Sequence, residues 1–121
     1  MPRTSTAVAM LIIAVLCAPP TRAQTAVESY DIRLEHGVAN IPLIRVKQGD
    51  WVRLRWVSDR PIVLHLHGYD IERKVDVGAV AEMTFRASAA GRFPVEEHTP
   101  SAAGGHAHGD TPLVRIEVYP R

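Results

Sequence analysis

Hydrophobic and polar residues alternate along most of the chain after residue 24. Tyr30, Ile32 and Leu34 are separated by charged residues, and the segment from Trp51 to Val57 repeats the same pattern. A period of two predicts a strand that buries one face. Runs of this kind predict eight strands, at residues 30–35, 41–46, 51–57, 62–67, 71–77, 80–87, 92–98 and 113–119.

Glycine, proline and short polar clusters separate these runs at regular intervals. No window has a helical period, and no internal repeat occurs. Short strands divided by such turns are typical of an antiparallel sandwich. We therefore predict an all-β Greek-key β-sandwich of seven or eight strands. Residues 24–121 suffice for one small domain.

The first 23 residues have the pattern of a signal peptide rather than of folded structure. Arg3 precedes an apolar run at residues 7–18, and residues 21–23 (TRA) end in a small residue that suits cleavage before Gln24. The run is shorter than the roughly 20 apolar residues that span a bilayer. We expect a periplasmic or secreted protein with no membrane span after cleavage, and a retained anchor is the alternative.

Charge and cysteine content narrow the possible partners. The whole chain has a formal net charge of +1, and removal of Arg3 and Arg22 changes it to −1. Such scattered charge gives no indication of nucleic-acid binding. Cys17, the one cysteine, lies in the predicted signal peptide. The exported domain would then contain neither a disulfide nor a thiolate ligand.

Five of the six histidines fall into two groups, and they are the candidate metal ligands. The first group is a His-x-His pair on a predicted strand, where both rings point to one face. The second group lies at the end of the 92–98 strand and in a Gly/Ala/Pro-rich loop predicted at 99–112. The candidate ligands are His65, His67, His98, His106 and His108. For each, a purely structural or surface position is the open alternative.

A site made of three or four imidazoles suits Cu²⁺, Zn²⁺ or Ni²⁺. Affinity order favours Cu²⁺ at such a nitrogen site, with Zn²⁺ as the alternative. Glu96 and Glu97 stand between the two groups of histidines, and either could add one oxygen ligand.

The order of motifs resembles that of the cupredoxin family, the small secreted copper-binding β-sandwiches. Residues 44–52 (IRVKQGDWV) look like the family's first strand pair, and residues 78–85 look like its Phe-containing strand. Residues 91–98 (GRFPVEEH) look like the strand that leads into the ligand loop, and 113–118 like the closing strand. The resemblance implies the sandwich fold and a copper site at one pole of the sandwich, near His67 and His98.

The chain departs from that family at the ligands of blue copper. The resemblance would place a cysteine near Glu97 and a methionine after it, and this sequence has neither. A trigonal His₂Cys centre and a binuclear copper centre both require thiolates. We therefore expect a copper-binding protein that carries, buffers or delivers the metal, and not an enzyme. Its expected partners are the metal ion and an exported or membrane-bound redox protein. The alternative is a metal-free accessory module of an exported redox complex.

Overall fold

The computed structural model describes residues 26–100, 106–108 and 111–121. The predicted signal peptide, Cys17 and part of the predicted loop, at 101–105 and 109–110, lie outside the described residues. Within the described ranges there is no helix long and apolar enough to cross a membrane.

The described residues form ten strands. Eight of them have five or more residues and coincide with the eight predicted runs. The ten strands are β1 (Val27–Glu35), β2 (Val38–Ala39), β3 (Leu43–Lys47), β4 (Trp51–Ser58), β5 (Ile62–Leu66), β6 (Ile71–Val75), β7 (Ala81–Arg86), β8 (Gly91–Pro100), β9 (His106–His108) and β10 (Val114–Tyr119). The two that the sequence pattern did not indicate are the short strands β2 and β9.

These strands form two sheets, as the prediction of an all-β sandwich requires. The smaller sheet has the order β2-β1-β4-β7, and the larger has the order β3-β10-β8-β5-β6, with β9 paired to β8. Both sheets are mixed rather than antiparallel, because β1 runs parallel to β4 and β3 runs parallel to β10. β1 and β4 are separated in the chain by β3 of the larger sheet, and β3 and β10 are separated by strands of both sheets.

The core lies between the two sheets and consists of every second residue of the long strands. Trp56 of β4, Leu64 and Leu66 of β5 and Val95 of β8 are fully buried. Burial of a large apolar side chain contributes about 1.5–3 kcal/mol to stability. Because no disulfide occurs among the described residues, this packing is the main source of stability there. It also directs the intervening residues of each strand to the outer face.

The predicted 99–112 loop contains more regular structure than its composition indicates. β8 continues to Pro100, and β9 pairs with its end in the register His98 to His108 and Pro100 to His106. β9 therefore runs antiparallel to the end of β8, within the segment predicted as a loop. The repeated small residues between the strands conceal this pairing, because they give no period-two pattern.

Gly68, directly after β5, is fixed by both its backbone and its neighbour. Its φ is +84°, in the region that favours glycine. A Cβ atom there would lie 2.5 Å from Cδ1 of Phe93. That ring is in edge contact with Tyr69, at a centroid distance of 4.8 Å, so the two aromatic side chains hold each other in place.

We expect Gly68→Ala to destabilise the protein by about 2–4 kcal/mol, from backbone strain together with displacement of the Phe93 ring. Gly78→Ala is the matched control, because Gly78 has a φ of +78° and nothing within 4 Å of an added Cβ atom. The Gly78→Ala variant should lose only about 1–2 kcal/mol of its free energy of unfolding. Urea unfolding of both variants measures the difference, and equal losses would contradict the steric argument.

An ion pair joins the β4–β5 turn to β8. Nη1 and Nη2 of Arg60 donate to the two carboxylate oxygens of Glu97 at 2.7 and 2.6 Å. The hydrogen bonds from Arg60 lower the pKa of Glu97, in opposition to the effect of burial. The two side chains are 46% and 30% exposed, so solvent screening limits the pair to about 1 kcal/mol.

The stabilisation of the fold by this ion pair should be lost at acidic pH. A carboxyl whose pKa is lowered by folding stabilises the protein above its unfolded pKa, and this stabilisation is lost as pH falls through the folded pKa. Glu97→Gln should therefore cost up to about 1 kcal/mol at pH 7 and much less below about pH 4. Urea unfolding at pH 7 and pH 3 tests this, and a loss of equal size at both values would contradict it.

Candidate functional site

The first two candidate ligands lie on the outer face of the larger sheet. Leu64 and Leu66 of β5 face the core and are fully buried. By strand alternation His65 therefore points away from the core, and so does His67, the next residue after the strand. The backbone N–H of His67 donates to the carbonyl of Pro94 at 3.0 Å, which continues the pairing with β8 past the end of β5.

The neighbouring strands bring a third imidazole and two carboxylates to the same face. Glu96 of β8 is the register partner of His65, and Glu72 of β6 is its partner on the other side. His98 follows Glu96 by two residues and so shares its face. We call His65, His67, His98, Glu72 and Glu96 the outer-face cluster.

The three imidazoles of the cluster lie close together. The ring centres of His65 and His67 are 4.4 Å apart at an interplanar angle of 43°. The ring centres of His65 and His98 are 6.4 Å apart at 62°. Two imidazoles bound to one tetrahedral ion at about 2.0–2.1 Å have ring centres about 5 Å apart. The observed separations lie on either side of that value.

Each imidazole also contacts a carboxylate. Nε2 of His67 is 2.9 Å from Oε2 of Glu96, whose side chain is only 16% exposed. Nε2 of His65 is 3.3 Å from Oδ1 of Asp70, and Nδ1 of His98 is 3.4 Å from Oε2 of Glu72. Carboxylates that contact imidazoles are the usual outer partners of metal-bound histidines, because they fix the tautomer and the orientation of the ring.

The chemistry of this donor set fits a divalent metal ion, although the donor atoms are not gathered around one point. In the part of the chain that the structure describes, no three His, Cys, Asp or Glu side chains are arranged to hold a metal ion. The cause is visible in the contacts, since His65, His67 and His98 each turn a nitrogen toward a carboxylate. Imidazole and carboxylate are nonetheless ligands that Cu²⁺ and Zn²⁺ accept.

The resemblance places a copper site at one pole of the sandwich, near His67 and His98, and this expectation stays a prediction. Both residues lie on the outer face of the larger sheet, because Leu66 and Val95 on the alternate positions of their strands fill the core. His67 directly follows the end of β5, and His98 lies where β9 pairs with β8.

The other histidines have separate positions. The backbone of His108 is the register partner of His98, and the backbone of His106 is the partner of Pro100. Their side chains lie outside what the structure describes, so their part in a site stays a prediction. His36 has a φ of +51° in the turn after β1, and its N–H donates to Asp59. His36 therefore lies between strands of the smaller sheet, whereas the outer-face cluster lies on the larger sheet.

The sequence alone did not indicate that Glu72 and Asp70 would contact the histidines of the cluster. Glu72 faces His65 because β5 and β6 form an antiparallel hairpin in which these two residues are paired. Predicting the register of the β5–β6 hairpin from the sequence would have identified Glu72. Asp70 lies in the connecting turn with a φ of +54°, a conformation that aspartate tolerates better than most residues.

No protein-family model matches the sequence, and no curated protein matches it significantly. Similar folds occur among solved structures. A multicopper oxidase, mgLAC, superposes with a TM-score of 0.61 at 19% identity, over 79% of this chain and 40% of that chain. The copper nitrite reductase of Nitrosomonas europaea gives a TM-score of 0.59 at 15% identity, over 79% of this chain and 42% of the other.

Two further likenesses involve chains closer to this one in length. A copper-binding protein solved by NMR in its apo form has a TM-score of 0.58 at 12% identity, over 81% of this chain and 93% of that one. A chain of a heme-copper terminal oxidase dimer has a TM-score of 0.57 at 21% identity, over 76% of this chain and 65% of that chain.

At such identities the likeness concerns the fold alone. This chain also spans less than two thirds of the oxidase chain and about two fifths of the multicopper oxidase. The strand order, the two mixed sheets and these neighbours together establish a cupredoxin-like β-sandwich.

Proposed function

We propose that this protein is exported, binds copper as Cu²⁺ at the outer-face cluster, and carries or buffers the metal. The single observation that carries the proposal is the convergence of His65, His67 and His98 on one face, with a carboxylate beside each ring. Copper-protein neighbours of the same fold support a copper-related function.

The ligand chemistry favours binding over rapid electron transfer. Blue-copper electron transfer relies on a cysteine thiolate, and the only cysteine is Cys17 in the predicted signal peptide. A site of nitrogen and oxygen ligands holds Cu²⁺ in tetragonal geometry. Carriage or buffering requires affinity and release, and such a site can supply both.

The proposed role is that of a binding protein rather than an enzyme. A cleft of about 520 Å³ is lined by Glu28, Arg45, Tyr119 and their neighbours, and by no member of the cluster, so the imidazoles have no part in it. An exported or membrane-bound redox protein is the proposed partner for delivery, a proposal that the likeness to a heme-copper oxidase chain supports.

A second candidate is a metal-free accessory module. The specific observation in its favour is that the imidazole–carboxylate contacts by themselves join β5, β6 and β8. In that case the histidines stabilise the larger sheet and the module acts through its surface. The two candidates differ in metal affinity, which decides between them.

We expect the purified protein to bind one equivalent of Cu²⁺ tightly, as measured by calorimetry and EPR. His65→Ala combined with His67→Ala should weaken binding more than about 100-fold, because two ligands are lost. His36→Ala is the matched control and should leave affinity unchanged. EPR of the bound ion should indicate a tetragonal site with little colour.

The variant His106→Ala with His108→Ala tests the second group of predicted ligands. A comparable loss in both double variants would unite the two groups in one site. Weak binding that survives both changes would contradict copper carriage and favour the metal-free module.

A further inference from the structure

We propose that Glu96 is an oxygen ligand of the copper site and that it makes the site selective for Cu²⁺ over Cu⁺. This inference rests on the proposed function. It also separates two adjacent glutamates, because the sequence leaves Glu96 and Glu97 equivalent and the structure places them on opposite faces of β8.

Glu97 is committed to a different interaction. It is the register partner of Leu64, so it lies on the core side of the sheet near its end. Both of its carboxylate oxygens accept hydrogen bonds from Arg60, at 2.7 and 2.6 Å. Both oxygens are thus held by Arg60, and strand alternation places Glu97 on the face opposite the histidines.

Glu96 lies among the imidazoles. It is the register partner of His65, and its Oε2 is 2.9 Å from Nε2 of His67. His98 is two residues away on the same strand and face. One carboxylate therefore stands between the two strands that supply the three rings. No other carboxylate among the described residues lies between β5 and β8 on this face.

Burial distinguishes Glu96 from the other carboxylates of the cluster. Its side chain is 16% exposed, compared with 56% for Glu72 and 99% for Asp70. A carboxylate withdrawn from water is costly unless a cation or hydrogen bonds offset the lost hydration. The contact with His67 offsets part of this cost, and a divalent ion at this point would offset more of it. Glu72 and Asp70 remain hydrated and act on the orientation of His98 and His65.

The charge and the hardness of the ligands then determine which oxidation state of copper the site prefers. With neutral imidazoles and one carboxylate as ligands, the net charge is +1 around Cu²⁺ and zero around Cu⁺. Cu⁺ is a soft ion that gains little from a carboxylate oxygen and prefers thiolate or thioether sulfur. Glu96 should therefore strengthen binding of Cu²⁺ much more than binding of Cu⁺.

The test compares Glu96→Gln with Glu97→Gln in the full chain. Both changes remove one carboxylate and keep the side-chain size, at adjacent positions on opposite faces. Competition titrations with a Cu²⁺ chelator and, under reducing conditions, with a Cu⁺ chelator give the two affinities. Urea unfolding confirms that each variant is folded.

We expect Glu96→Gln to weaken Cu²⁺ binding at least about tenfold and Cu⁺ binding less than about threefold. Glu97→Gln should change neither affinity by more than about twofold. The Cu²⁺ EPR spectrum should also change in Glu96→Gln and stay the same in Glu97→Gln, because only the former alters the ligand set.

Four results would overturn the inference. Equal effects of the two variants on Cu²⁺ would mean that only general charge matters. Equal weakening of Cu²⁺ and Cu⁺ in Glu96→Gln would make Glu96 a positioning residue for His67. Absence of copper binding in the unaltered protein would remove this inference together with the proposed function, whereas loss in the His65/His67 variant with none in Glu96→Gln removes this inference alone.

Discussion

The antiparallel pairing of β5 with β8 is the interaction on which the candidate site depends. It places Leu64 beside Glu97, His65 beside Glu96 and Leu66 beside Val95. A shift of one residue would exchange the two faces of a strand, and would bury imidazoles where leucines now fill the core. The hydrophobic core therefore selects the register, and the register assembles the histidines and carboxylates.

The same pairing explains how a cysteine-free domain of this fold could hold copper. The resemblance to cupredoxins leads to the expectation of a site at one pole, and blue-copper sites include a thiolate. Here the imidazoles lie on the outside of the larger sheet, so a site there can use strand residues rather than a pole loop.

Much of the fold could be predicted from the sequence, because period-two alternation is a local property. All eight long strands were predicted, as were the burial of Leu64 and Leu66 and the common face of His65 and His67. The parallel pairing of β1 with β4 could not be predicted, because it depends on which sheet the intervening strands join. β9 was missed because the segment around it is rich in small residues and has no alternation.

The candidate site was predictable only in part, for a related reason. The spacing of His65 and His67 follows from one strand, but the contacts of Glu96, Glu72 and Asp70 depend on how neighbouring strands align. Glu96 and Glu97 are adjacent and chemically identical, and only the packing of Val95 into the core distinguishes their surroundings. Pairing between strands is a long-range property that a single sequence does not determine.

The central claim is that the imidazoles of the outer-face cluster bind one copper ion. Pulsed EPR of the protein with one equivalent of Cu²⁺ tests it most directly, because the echo modulation counts coordinated imidazoles. We predict modulation from at least two imidazoles, without the intense blue absorption of a thiolate complex. Copper whose spectrum indicates only water or backbone ligands would contradict the account.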